Sequence, residues 1–236
     1  MRFKRKETLV AINFLLILPL CSIAQDTIDY RSFMESAREY STLYRGELSP
    51  FYVDNAPNDG STYFAYSITF EKGDMEYCGK MYRNIELNLN AHLNELYLRE
   101  PFYDSYLVVN KNFVSFFSMG DRKYVSYTQE TNSALKHGYY EVLYMGNIKL
   151  YKMIQKKYYF DIPYGERRVR KGYKIEESFY VCKGDTWRRV GKIADLKKLF
   201  PEQKGAIDYV LRTKRLNFVD FTERSIVEIV TYLDSL

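Results

Sequence analysis

Hydrophobic positions change their spacing twice along the chain. Over residues 29–44, Tyr30, Phe33, Met34, Ala37, Tyr40 and Tyr44 recur at three- and four-residue intervals, the period of one helix face, and Gly46 stands where such a helix would stop. Residues 57–61, Pro-Asn-Asp-Gly-Ser, read as a loop. From Phe64 to Val190 the period becomes two. Phe64, Tyr66, Ile68 and Phe70 alternate with Ala65, Ser67 and Thr69, which predicts a strand with one apolar face. Gly73-Asp74, Gly120-Asp121, Gly146-Asn147 and Gly184-Asp185 each separate two alternating runs. Glycine accepts the positive φ of a primed turn, so each of these pairs predicts a hairpin. Ile85, Leu87 and Leu89 predict a further strand, and Leu96 and Leu98 its return after a turn at His92-Leu93-Asn94. Residues 162–177, interrupted by Pro163, Gly165 and Gly172, read as the longest loop.

After Gly191-Lys192 the helical period returns. Ile193, Leu196, Leu199 and Phe200 fit a helix closed by Pro201, and Ile207, Val210 and Leu211 fit a second. Asp220 can cap a third, whose apolar positions are Ile226, Ile229, Val230 and Leu233. The expected fold class is therefore α+β, mainly β. A meandering antiparallel sheet, flat or curled toward a barrel, carries a short N-terminal helix and three C-terminal helices. The expected organisation is a signal peptide at 1–24, the N-terminal helix at 25–46, the β body at 47–190, and a helical segment at 191–236 packed on that body.

The first 24 residues change how the charge is read. Basic residues at 2–6 precede a twelve-residue, mostly apolar stretch at 9–20, within the length of a signal-peptide core and short of the roughly 20 residues that span a bilayer. Ser22 and Ala24 place small residues at −3 and −1 of a cleavage before Gln25. Lipid attachment at Cys21 is the minority alternative, because Leu20 is not the small residue that such a signal wants before its cysteine. The chain holds 35 Lys+Arg and 30 Asp+Glu. Four of those basic residues and one acidic residue lie in the signal, which leaves 31 against 29. So weak an imbalance argues against a nucleic-acid partner. No second hydrophobic span follows, so no transmembrane segment is expected in the exported chain.

Candidate chemistry is sparse. No nucleophile elbow, zinc-protease helix, phosphate loop or calcium loop occurs, so no catalytic residue, cofactor or metal site is assigned. Export permits a disulfide between Cys78 and Cys182; the competing reading is two buried thiols. His92, in the predicted turn, and His137, before a predicted strand, read as structural. Glu141, among Tyr139, Tyr140, Val142, Leu143 and Tyr144, is the carboxylate most open to burial. Its plainer reading is an outward residue or a partner for a tyrosine hydroxyl. Arg167, Arg168, Arg170, Lys171 and Lys174 form the densest basic run; it reads first as a solvated loop, and second as a weak site for anionic lipid heads or acidic glycans. The 24 tyrosines suit a half-buried pleated surface, and composition alone leaves open which of them could line a ligand site.

A set of short patterns runs through the chain: Ser41-x-Leu43-Tyr44-x-Gly46; Gly73-x-x-x-Tyr77-x-Gly79-x-x-Tyr82; Leu87-x-Leu89 with Leu93-Asn94-Glu95-Leu96; Gly138-Tyr139-Tyr140-Glu141-Val142-Leu143-Tyr144-x-Gly146; Leu196-x-x-Leu199-Phe200; Leu216-Asn217-Phe218; and Tyr232-Leu233. Together they resemble a group of uncharacterised exported bacterial envelope proteins. That resemblance implies a β-rich body, a helical tail and a cell with a periplasm, and it brings no activity. The expected function is a non-enzymatic envelope protein that binds another protein or a small ligand. The alternatives are a carrier of an apolar or sugar-like ligand inside a curled sheet and, below it, a hydrolase with dispersed carboxylates.

Overall fold

In the computed structural model the described residues are 27–28, 42–44, 46–48, 57–100, 105–127, 135–162, 164–165, 167–216 and 223–236. Twelve strands make one sheet: β1 (Thr27–Ile28), β2 (Glu47–Leu48), β3 (Glu71–Tyr77), β4 (Lys80–Asn90), β5 (Glu95–Arg99), β6 (Tyr106–Val108), β7 (Val114–Met119), β8 (Arg122–Tyr127), β9 (Gly138–Met145), β10 (Ile148–Asp161), β11 (Arg170–Lys183) and β12 (Thr186–Val190). The antiparallel path runs β12-β11-β10-β9-β8-β7-β3-β4-β5-β6-β2, and β1 lies parallel to β4 at Met81 and Tyr82. The path does not close, so the sheet is open rather than a barrel. It does curl. The β4–β5 turn reaches across to β9 and β10, where Ala91 O accepts from Lys156 N and Asn94 Oδ1 accepts from Tyr139 N.

Three of the four predicted glycine turns are hairpins, at Gly120-Asp121, Gly146-Asn147 and Gly184-Asp185. Gly73-Asp74 is not one; both residues lie within β3. A Cβ on Gly73 would sit 1.8 Å from the Ser118 carbonyl oxygen, so glycine is there to let β7 approach. The hairpin turn is instead Cys78-Gly79, with φ of 52° and 74°, as a primed turn requires. The alternating run at 64–70 is also not a strand. It makes one bridge, Phe64 to Asn90. Beyond that bridge the Asn88 side-chain amide donates to Ser67 O and Thr69 O, and Ser67 Oγ accepts from Thr69 N. These side-chain bonds satisfy the backbone that a ladder would otherwise pair. Nor is 162–177 a long loop, because β11 already begins at Arg170. The expected N-terminal helix falls largely outside the described residues; within them Thr27–Ile28 is strand and Thr42–Tyr44 a 3-10 turn.

The three tail helices are α1 (Ile193–Leu199), α2 (Lys204–Thr213) and α3 (Glu223–Asp234). Their apolar stripes meet Ile148, Leu150, Phe179, Val181 and Val190 of the sheet in one core. A second core fills the curl around Met75, Tyr82, Ile85, Leu87, Leu98, Phe117 and Tyr139. A third, smaller cluster holds Leu135, Tyr140, Tyr151, Tyr180, Cys182 and Trp187. Asp234 pins the helices to the β9–β10 hairpin. Its carboxylate accepts from Tyr144 OH at 2.9 Å, Asn147 N at 3.1 Å and Ile148 N at 2.7 Å. A carboxylate at a helix C-terminus opposes the helix dipole, so these tertiary bonds must outweigh that cost. Asp234→Ala should therefore lower stability by about 1–3 kcal/mol. Urea unfolding would read this as a lower midpoint at unchanged slope; an unchanged midpoint would mean that apolar contacts alone dock α3.

Candidate functional site

Two features of the fold bring chemistry-bearing side chains together. The first follows from register. Met75, Phe117, Tyr124, Glu141, Lys152, Phe179 and Val190 oppose one another across adjacent strands from β3 to β12, and directly opposed residues share a face. At one end this row belongs to the core of the curl, and at the other to the core under the helices. Glu141 and Lys152 occupy the seam between them, both buried. Along β10 the same face reads Ile148, Leu150, Lys152, Ile154 and Lys156, so two lysines stand at positions that alternation reserves for apolar side chains.

Remote segments complete the seam. Lys152 Nζ lies 3.0 Å from Glu141 Oε2 and 2.5 Å from Glu223 Oε2 at the start of α3. The Tyr66 hydroxyl donates to the same Glu141 oxygen. The Arg122 guanidinium covers the Tyr66 ring at 3.8 Å, with its Nε 4.0 Å from Glu141 Oε1 and its Nη1 3.8 Å from Glu71. Burial works against the Lys152 ammonium, yet the Glu223 and Glu141 carboxylates outweigh it and hold its pKa above the ordinary lysine value. Burial first, then the bond to Glu141, pushes the Tyr66 hydroxyl well above the usual tyrosine range. Tyr124 is shifted the same way, by burial and then by the Glu141 charge. The result is a neutralised clasp joining β8, β9, β10, α3 and the 63–70 segment.

Of the residues singled out in the sequence, Glu141 lies in this clasp, both buried and bonded to a tyrosine. Tyr66, Arg122, Lys152 and Glu223 were not singled out. Lys152 alone carried a readable signal, a charge at an apolar position of the β10 alternation. His92 is structural: its Nδ1 donates to Lys156 O at 2.8 Å and its ring packs edge-on to Tyr173. His137 is exposed. Cys78 and Cys182 are free thiols, the first exposed in a turn and the second buried. Among the described residues no group of His, Cys, Asp and Glu is arranged to hold a metal, and no helix is long and apolar enough to cross a membrane.

The second feature is an arm. β10 and β11 pair over 14 residues each, but β9 accompanies β10 only over Lys149–Lys152 and β12 accompanies β11 only over Phe179–Lys183. The outer halves continue as a two-stranded ribbon, a structure that is marginal on its own. The 57–62 loop clamps it. Asn58 N donates to Lys171 O, Tyr173 N donates to Ser61 Oγ, and the Asn58 side-chain amide donates to Val169 O. Asp59 accepts from the Ser61 amide, the Ser61 hydroxyl and the Tyr159 hydroxyl. Gly172 makes room for this carboxylate, since a Cβ there would lie 2.0 Å from Asp59 Oδ2. Lys156, buried beneath the clamp, donates to Thr62 O at 2.9 Å, and burial draws its pKa below the ordinary value. Beyond the Tyr159–Gly172 pair lies the tip, with Phe160, Ile162, Tyr164, Arg167 and Arg168 all exposed.

No family model matches the chain, and no curated protein or solved structure is significantly similar to it.

Removing one partner of the clasp strands the other charge in the protein interior. Lys152→Met should cost about 3–5 kcal/mol, whereas Lys152→Met with Glu141→Gln should recover most of it, because Gln still accepts from Tyr66 and the carboxylate left without its lysine, Glu223, is partly exposed. Urea unfolding of the two variants decides the point, and equal losses would exclude a buried pair. The raised Lys152 pKa adds stability that is complete below the unfolded lysine value of 10.5 and fades as pH climbs through the folded one.

The arm clamp titrates at the other end of the scale. The Ser61 hydroxyl, the Ser61 amide and the Tyr159 hydroxyl hold the Asp59 carboxyl below its ordinary 3.8. Its contribution is present above that value and is lost as pH falls through the lower folded one. The amide protection factor of Tyr173 should therefore collapse in that acidic window while β9 amides stay protected; parallel loss at both would mean global unfolding instead.

Proposed function

We propose that the protein is an exported, non-enzymatic component of the bacterial envelope that works by binding, with the tip of the β10–β11 arm as its contact surface. The arm carries this reading. It extends past its neighbouring strands, is clamped in place, and ends in exposed apolar and basic side chains. The signal-like first 24 residues and the resemblance to exported envelope proteins support the location.

The aromatic residues favour a contact surface over an enclosed carrier site. Phe117 stacks on Tyr124 at 4.6 Å between ring centres and meets Tyr139 edge-on at 5.1 Å. Tyr140 meets Tyr180 at 5.4 Å, and Tyr151 meets Trp187 at 4.6 Å. These rings are spent on packing. The carboxylates likewise favour structure over hydrolysis. Glycoside hydrolysis by carboxylates uses two such groups flanking the scissile bond. Glu141 and Glu223 do converge, but the Lys152 ammonium occupies the space between them.

Fractionation of cells producing the full chain tests the proposal. The processed protein should begin at Gln25, and it should sediment with the envelope. A Phe160→Ser, Ile162→Ser, Tyr164→Ser variant, altered only at exposed positions, should move to the soluble periplasmic fraction. Unprocessed protein in the cytoplasm would overturn the location, and identical distribution of the two forms would overturn the role of the arm.

A further inference from the structure

We infer that the arm tip docks on an anionic lipid surface, its apolar side chains entering the headgroup layer while its arginines and lysines hold the lipid phosphates. The inference rests on the binding role proposed above and names the partner.

Charge is the first support. Residues 157–174 hold six basic residues, Lys157, Arg167, Arg168, Arg170, Lys171 and Lys174, against Asp161 and Glu166. The rest of the exported chain, residues 25–156 and 175–236, holds 25 basic against 27 acidic residues. All the net positive charge of the exported chain is thus gathered in one arm on a slightly acidic body. Arg167 and Arg168 have no carboxylate partner among the described residues, whereas Lys157 is paired with Glu176 at 2.7 Å. A basic tip ahead of an acidic body also orients the molecule, arm first, toward an anionic surface.

The apolar side chains decide between partners. Phe160, Ile162 and Tyr164 alternate at the end of the ribbon, 65% and 56% exposed for the first two, with Tyr164 wholly so. An acidic protein segment would meet the arginines through its carboxylates. A charged lipid surface uses both the arginines and the apolar tip, since tyrosine and phenylalanine settle at headgroup depth and each nearby basic residue adds attraction to anionic lipid. The ribbon suits shallow entry. Its two strands pair with each other as far as the Asp161–Arg170 pair, and the backbone beyond that pair, outside the ladder, keeps entry at headgroup depth. The clamp of Asn58, Asp59 and Ser61 has already ordered the arm, which lowers the entropy cost of docking.

Sedimentation with vesicles tests this, using protein purified from the exporting cells. The wild type should bind vesicles of phosphatidylcholine with about 30% phosphatidylglycerol, bind pure phosphatidylcholine weakly, and be released by salt. Arg167→Glu with Arg168→Glu should weaken binding by at least about thirtyfold, and the triple serine variant by at least about tenfold, each with an unchanged circular dichroism spectrum. A Tyr164→Trp variant should be quenched by brominated lipid. Equal binding to neutral vesicles, indifference to both variants, or no binding at all overturns the lipid inference. If vesicle binding fails while the serine variant still leaves the envelope fraction, only the lipid assignment falls, and a protein at the same tip is the partner. If vesicle binding holds but that variant stays in the envelope fraction, the cellular role of the arm falls instead.

Discussion

One strand, β10, contributes to all three hydrophobic clusters, and its constraint is a lysine at the point where two of them meet. Ile148 and Leu150 belong to the core under the helices, and Ile154 to the core inside the curl. Lys152 stands between them on the same face. An apolar residue there would fuse the two cores into one continuous layer with no fixed boundary. The ammonium instead demands oxygen partners, which the Glu141 and Glu223 carboxylates supply, while the Tyr66 hydroxyl donates to Glu141 and holds it in place. Placing those partners fixes the start of α3, the course of the 63–70 segment and the register of β9 against β10. Buried ion pairs add little net stability over apolar packing. What this one contributes is position, because each misplaced partner would leave a buried charge unpaired.

How much of this could be read from the sequence depends on whether the cause is local. The three helices of the tail were legible because their spacing and breakers lie within each segment. The same holds for the turns at Gly120, Gly146 and Gly184 and for the β4–β5 return. Gly73 misled because glycine has two physical uses, positive φ and close approach, and sequence does not distinguish them. The 64–70 run alternates as a strand would, but Asn88 on β4 supplies bonds that draw it off the ladder. Residues 170–177 looked broken at Gly172, where the missing side chain in fact makes room for Asp59, more than a hundred positions earlier.

The clasp shows the same limit more sharply. Glu141 stood out because it sits among tyrosines. Its partners lie 71 positions from Lys152, for Glu223, and 75 positions from Glu141, for Tyr66. No local pattern joins them. The lysines at 152 and 156 were visible as charges on an apolar face, which is a signal that a side chain is held from a distance and not a signal of who holds it. In both cases the answer is a tertiary oxygen: a pair of carboxylates for one, the Thr62 carbonyl for the other.

That second lysine links the interior to the arm. Lys156 N donates to Ala91 O, its carbonyl accepts from His92, and its amine reaches Thr62 beneath the 57–62 loop. Its backbone thereby closes the exposed edge of β10 just where β9 has ended. The loop does the same for the edge of β11 through Asn58 and Ser61. Unpaired strand edges invite further pairing, and proteins usually cover or charge them. Here both edges at the root of the arm are covered by the protein's own segments, so the arm leaves the body as a ribbon whose edges are sealed at its base. Beyond them the tip presents three exposed apolar side chains and, in Arg167 and Arg168, two arginines with no carboxylate partner among the described residues. Covered edges at the root leave side-chain chemistry, rather than strand addition there, as the physical basis of the docking proposed for the tip.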